Sequence, residues 1–211
     1  MHGLNPEQHA QRLSELDVDV ELFERALDLA AADVRGCTDF DAPATRGFLF
    51  WSRANRYIAE QLDPLGWKRT QRDSILRMIH PTGSHAITAI SGDGGVGDLN
   101  KKVRSKNPKG GAVARLVERN RQLEIISRDE LLFGRELDEI ETWCLLYKRE
   151  DGIIRAELSR PVEMHGKYID EWRERLPLQV NLDDPGYDIS LDDPGDGDDG
   201  PEVMVEFVGE N

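Results

Sequence analysis

Apolar positions in the first sixty residues recur at a helical period, and after Gly66-Trp67 the texture shifts to short β-branched runs separated by turns. Asn5, Pro6 and Gln8 supply an N-cap, a first-turn proline and a capping-box residue, which predicts a short helix to about Leu16. Asp19 caps a second helix, whose apolar positions Phe23, Ala26, Leu27, Ala30 and Val34 keep the 3.6-residue period before Gly36 stops it. A third runs from about Thr45 to Leu62, with Phe48, Trp51, Ile58 and Leu62 on one stripe and Arg46, Arg53 and Arg56 off it. It ends before Asp63-Pro64, because a residue preceding proline avoids the α conformation.

Beyond Trp67, residues 74–80 and 85–91 read as strands joined by Pro81-Thr82-Gly83-Ser84, a hairpin signal. Gly92 to Gly111 reads as a loop. Ala112 to Leu123 reads as a helix, with Val113, Leu116, Val117, Asn120 and Leu123 on one side. Ser127 and Glu130 form a second capping box that opens a short helix. A second hairpin pairs 141–148 with 153–158 around Glu150-Asp151-Gly152, and Arg160-Pro161 ends it. Residues 164–179 read as a loop followed by a short amphipathic helix built on Tyr168 and Trp172.

The expected fold class is therefore α+β: N-terminal helices packed on a small, mostly antiparallel sheet of two hairpins, with a disordered acidic C-terminal tail. Residues 1–181 form a single domain, with the helical layer at about 5–62 and the mixed part at about 66–181. Residues 182–211 form the tail, which repeats Leu-Asp-Asp-Pro-Gly at 182 and 191 and carries one strand-like run, Val203 to Val208. Trp51, Trp67, Trp143, Phe48, Leu76, Ile87 and Leu145 are the expected core.

Charge sharpens this division. The formal net charge is −14, yet 11 acidic residues and no Lys or Arg fall between Leu182 and Asn211, which leaves the body at −3. The acidity belongs to the tail. Arg exceeds Lys by 20 to 7, a usage typical of GC-rich bacterial or phage genes. The chain has no apolar stretch approaching the ~18 residues of a membrane span and no secretory leader pattern at its start, so a cytoplasmic protein is expected. Cys37 and Cys144 are far apart in unrelated contexts and read as reduced thiols.

Against that balanced body stands one basic concentration. Lys101, Lys102, Arg104, Lys106, Lys109, Arg115, Arg119 and Arg121 face a single acid, Glu118, within residues 101–121. Asn107-Pro108-Lys109-Gly110-Gly111 leads into the helix that carries the arginines, so backbone N–H groups and cations converge on an anion. Nucleic acid or a protein partner is the implied ligand, with salt-sensitive binding. The alternatives are a solvated loop beside an ordinary polar helix face, and docking of the acidic tail on this surface or on a basic partner.

Other chemistry is thinner. Gly92-x-Gly94-x-x-Gly97 follows a strand but opens no helix, and Asp98 stands where a P-loop needs Lys, so a flexible loop is the better reading. His80 and His85 flank the hairpin turn and are expected to approach each other, without the further ligands a metal needs. Asp93, Asp98, Glu139 and Glu141 are the acids left for a magnesium-dependent nuclease, but no acid-x-Lys or Gln-x-Lys follows. Asp196, Asp198 and Gly200 lack the frame of a calcium loop. No cofactor, metal or catalytic residue is assigned. The expectation is a non-enzymatic interaction or regulatory protein of bacterial or phage or mobile-element origin. A metal-dependent enzyme acting on nucleic acid and a structural or assembly component of a phage or mobile element are the alternatives.

Overall fold

The computed structural model describes residues 6–71, 75–123, 140–150 and 152–183. The helices are α1 (Pro6–Glu15), α2 (Val20–Val34), α3 (Thr45–Leu62) and α4 (Gly111–Leu123). The strands are β1 (Lys68–Thr70), β2 (Arg77–Ile79), β3 (His85–Gly94), β4 (Val103–Ser105), β5 (Glu141–Glu150), β6 (Ile153–His165) and β7 (Tyr168–Asp183). Asp19 caps α2 as its position suggests, its carboxylate accepting from the Leu22 amide at 2.7 Å.

The α+β reading holds, but the sheet is larger than two hairpins and the helices are not all N-terminal. Seven described strands join in the order β1-β2-β3-β5-β6-β7, with β4 paired to the far end of β3. Every pairing is antiparallel except the central one, where β3 and β5 run parallel over seven residue pairs from His85↔Glu141 to Ser91↔Tyr147. A parallel neighbour requires a crossover, and α4 lies in it. α4 then packs on β5 and β6 from the face opposite α2 and α3.

Alternation along β5 shows both faces covered. Trp143, Leu145 and Tyr147 join the core beneath α1, α2 and α3, whereas Cys144 and Leu146 join the smaller core with Val117 of α4. Such a strand has no polar face, which is the expected signature of a doubly covered sheet.

Three further expectations change. Pro161 does not end the second hairpin: β6 runs on to His165, and the proline falls among register shifts from Arg160 to Met164, where a missing N–H breaks no regular ladder. The expected helix near Trp172 is instead the long strand β7, turned from β6 at Gly166 with φ 62°. Its helix-like spacing arises because the bulges reverse the side-chain parity. Ile169 and Trp172 therefore serve the α4 side, and Leu176, Leu178 and Val180 the other. On α3 the buried stripe is Phe50, Ala54, Asn55, Ile58 and Leu62, which leaves Phe48 65 % and Trp51 37 % exposed. Leu76 is half-buried, while Trp67, Trp143, Ile87 and Leu145 are buried as expected. The second capping box at Ser127 and Glu130, and the segment from 184 to 211, lie outside the described residues.

Two buried asparagines bridge discontinuities in the sheet. β3 leaves β2 after Ile87 and meets β4 only at Gly92, and between them the side-chain amide of Asn55 takes the place of a strand. Its Oδ1 accepts from the Ala89 amide and its Nδ2 donates to the Ala89 carbonyl, each at 3.0 Å. On the other face, Asn120 of α4 accepts from the Thr142 amide at 2.9 Å and donates to the Thr142 and Pro161 carbonyls at 2.7 and 2.9 Å. Both helices are thus fixed by hydrogen bonds to backbone that would otherwise be buried unpaired.

Candidate functional site

The basic segment spans three pieces of structure. Lys101 and Lys102 sit on the turn before β4, Arg104 lies on β4, Lys106 and Lys109 follow on the connection, and Arg115, Arg119 and Arg121 lie on α4. Their side chains do not form one uniform patch. Arg104 meets Asp93 across the β3–β4 ladder, with Nε and Nη2 each 3.2 Å from Oδ2, and lies 5.0 Å over the Tyr168 ring. Lys101 reaches Asp98 at 3.6 Å, and Arg121 pairs with Glu118 one turn back on α4. Burial works against the Asp93 carboxylate, but the Gly94 amide and then Arg104 outweigh it and hold its pKa below the ordinary value. The Asn100 amide, followed by Lys101, likewise lowers Asp98.

The acids that matter here precede the segment, so counting only within residues 101–121 overlooked them. A β-hairpin register places position 93 opposite 104, and that pairing is the signal that would have exposed the compensation.

Lys102 aside, the other cations of the segment lie at the junction into α4 and along that helix. Lys102 and Lys106 are exposed, and Lys109 is half-buried with its amide donating to the Lys167 carbonyl at 2.7 Å. Burial lowers the Lys109 pKa from its usual range. Gly110 has open space where a Cβ would sit, no acid occupies the first turn of α4, and Arg115 Nη1 lies 3.8 Å from where a Cβ on Gly111 would be. Arg115 and Arg119, with Ala114, Glu118 and Gln122, line a shallow surface hollow of about 440 Å³.

The glycine run is structural. Gly92 and Gly94 belong to β3, and Gly94 pairs with Val103 in the hairpin. A Cβ on Gly94 would stand 2.5 Å from the Lys102 carbonyl oxygen, and one on Gly95 would collide with the Lys101 side chain. With φ of 79° at both Gly94 and Gly97, the tight turn itself demands glycine, and no phosphate is needed to explain the spacing.

The same turn is gripped from below by a buried ion pair. Arg175 donates through Nε and Nη2 to Glu157 at 2.8 and 2.7 Å, and also to the carbonyls of Gly95, Asp98 and Lys101. Glu157 further accepts from the Gly97 amide and the Ser159 hydroxyl. Neither residue stood out in the sequence, because strand parity decides which charged positions face inward.

The two histidines meet as their flanking positions suggest, with rings stacked at 4.8 Å and 18°. Of the acids considered for magnesium, Glu141 is engaged by Trp143 Nε1 at 2.6 Å and by Arg160 at 3.3 Å, and Glu139 lies outside the described residues. Among the described residues, no three His, Cys, Asp or Glu side chains are grouped to hold a metal ion. None of the described helices is long and apolar enough to cross a membrane. No protein-family model, curated protein or solved structure matches the chain.

Proposed function

We propose that the protein is a non-enzymatic interaction or regulatory protein that engages phosphate-bearing partners, nucleic acid in the first instance, through residues 101–121. The acidic segment 182–211 competes for that surface. The observation that carries this reading is the junction from Lys106 to Arg115. There Lys109 is desolvated at the foot of a 13-residue helix with no acid in its first turn, beside a glycine pair and an arginine. An anion bound there would restore the solvation that burial takes from Lys109 and would meet the positive end of α4.

The test is salt-dependent binding of a fluorescent oligonucleotide to the full chain, to a chain lacking 182–211, and to Lys102→Gln/Lys106→Gln/Lys109→Gln. Binding should strengthen on truncation. The triple variant should flatten the slope of log K against log salt by about 3, one for each lost phosphate contact. Equal affinity and slope for all three proteins would remove the proposal.

A further inference from the structure

Two aromatic rings on α3 face water although the core has no use for them there. Phe48 is 65 % and Trp51 37 % exposed, while Phe50 between them is fully buried, and the two outer rings meet at 5.6 Å and 46°. Trp51 is held rigidly. Its indole Nε1 donates to the Ala89 carbonyl at 3.2 Å, and its own carbonyl accepts from Asn55 Nδ2 at 3.0 Å, the same side-chain amide that pairs with Ala89. A ring fixed in this way loses little freedom when a ligand stacks beside it.

The edge of β3 decides what adjoins the rings. Ala89 and Ser91 turn their carbonyls toward the same edge, between the end of the β2 pairing at Ile87 and the start of the β4 pairing at Gly92. Trp51 Nε1 takes the first carbonyl, and the Lys106 amide takes the second at 2.9 Å. Carbonyls two residues apart along a strand are about 7 Å from each other, so the aromatic pair borders the start of the Lys106–Arg115 junction. The charges of α3 itself are turned inward to the fold: Arg46, Arg53 and Arg56 meet Asp39, Asp33 and Glu60. The surface around Phe48 and Trp51 therefore offers ring faces, and the cations for phosphate stand next to it.

We propose that Phe48 and Trp51 form a stacking platform for unpaired bases, so that the ligand is single-stranded nucleic acid rather than duplex; this rests on the phosphate-binding role proposed for Lys106 to Arg115. Every base has a face to lay on a ring, which makes such a platform tolerant of sequence. In a duplex those faces are already covered by neighbouring base pairs, and only splayed, unstacked bases reach an aromatic side chain. A base on Phe48 covers apolar surface now in water, while its backbone runs along the edge toward Lys106.

The experiment compares binding of the full chain, at low salt, to a fluorescein-labelled oligothymidylate of about 12 nucleotides and to the same strand annealed to oligoadenylate. The single strand should bind on the order of tenfold more tightly than the duplex. Phe48→Ala, which removes an exposed ring and leaves the core intact, should lose on the order of tenfold for the single strand alone, and Phe48→Trp should restore it. The slope of log K against log salt should be the same in Phe48→Ala as in wild type, because no phosphate contact is lost. Trp67, Trp143 and Trp172 are buried, so unlabelled oligothymidylate should quench Trp51, and the quenching should vanish in Trp51→Phe. Equal affinity for strand and duplex, or undiminished affinity in Phe48→Ala, overturns the platform; a flattened salt slope in Lys102→Gln/Lys106→Gln/Lys109→Gln would then still support the phosphate junction. If the wild-type chain binds neither probe, both fall.

Discussion

Replacing Arg175 with Met tests whether the turn between β3 and β4 depends on the ion pair beneath it. The substitution keeps most of the aliphatic volume and removes five hydrogen bonds, two to Glu157 and three to the carbonyls of Gly95, Asp98 and Lys101. The Glu157 side chain is 0 % exposed and that of Arg175 11 %, so neither charge can turn to water in place. Glu157 would keep only the Gly97 amide and the Ser159 hydroxyl. Removing one member of a buried pair costs about 3–5 kcal/mol, a large share of the roughly 5–15 kcal/mol that holds a domain together. Urea unfolding followed by the fluorescence of the buried Trp67, Trp143 and Trp172 measures it, and the melting temperature should fall by about 10 °C. The double variant Glu157→Gln/Arg175→Met no longer strands a charge and should recover about 2 kcal/mol or more of that loss. A loss below about 1 kcal/mol in Arg175→Met, or strict additivity of the two substitutions, would refute the claim that the pair acts as a unit.

Asn120→Leu matches the side chain in size but deprives Thr142 of a donor and an acceptor and Pro161 of a donor. It should cost about 2–4 kcal/mol in the same unfolding assay, whereas Gln122→Leu on the exposed side of α4 should cost under about 0.5 kcal/mol. Burial pushes the Cys144 thiol up to about 12 from 9.0. Since the folded pKa is the higher, Cys144 contributes fully to stability below pH 9.0, and that contribution is lost as the pH rises toward 12. In native protein at pH 8, iodoacetamide should therefore modify Cys37, which is partly exposed, well before Cys144, as read by peptide mass spectrometry.

Local signals carried the elements, and non-local pairing decided the architecture. The Asp19 cap, the boundaries of α3, the turn at 81–84 and the left-handed glycine at 152 are set by neighbours within a few residues, and each was legible in the sequence. The parallel β3–β5 pairing depends on contacts more than fifty residues apart, which no local window contains. β7 was misread because its bulges put Ile169 and Trp172, three residues apart, on one face, as a helix would. Phe48 and Trp51 were misplaced because a helix stripe can be drawn through several phases, and only the sheet beneath α3 selects the one centred on Phe50 and Ala54. The candidate site was legible as a run of cations but not as a charge balance, since the Asp93–Arg104 contact exists only once the hairpin register is set.

That register also explains why the basic segment is divided. Val103 and Ser105 point inward, where Ser105 Oγ accepts from the Ile169 amide and the Val103 carbonyl accepts from Trp172 Nε1, so β4 bridges from β3 to β7. Arg104, between them, must point outward and meets the Asp93 and Tyr168 that the same alternation turns its way. A strand committed to the core on both sides of Arg104 therefore spends that cation on holding the hairpin together. The chain is released from this alternation only after Ser105, and the residues of the proposed binding junction, Lys106 to Arg115, follow it. An Arg104→Gln variant should accordingly loosen the β3–β4 hairpin, seen as faster exchange of the Gly95 amide that bonds the Lys102 carbonyl. It should change oligonucleotide affinity less than Lys109→Gln does; the reverse ranking would place the binding surface on β4.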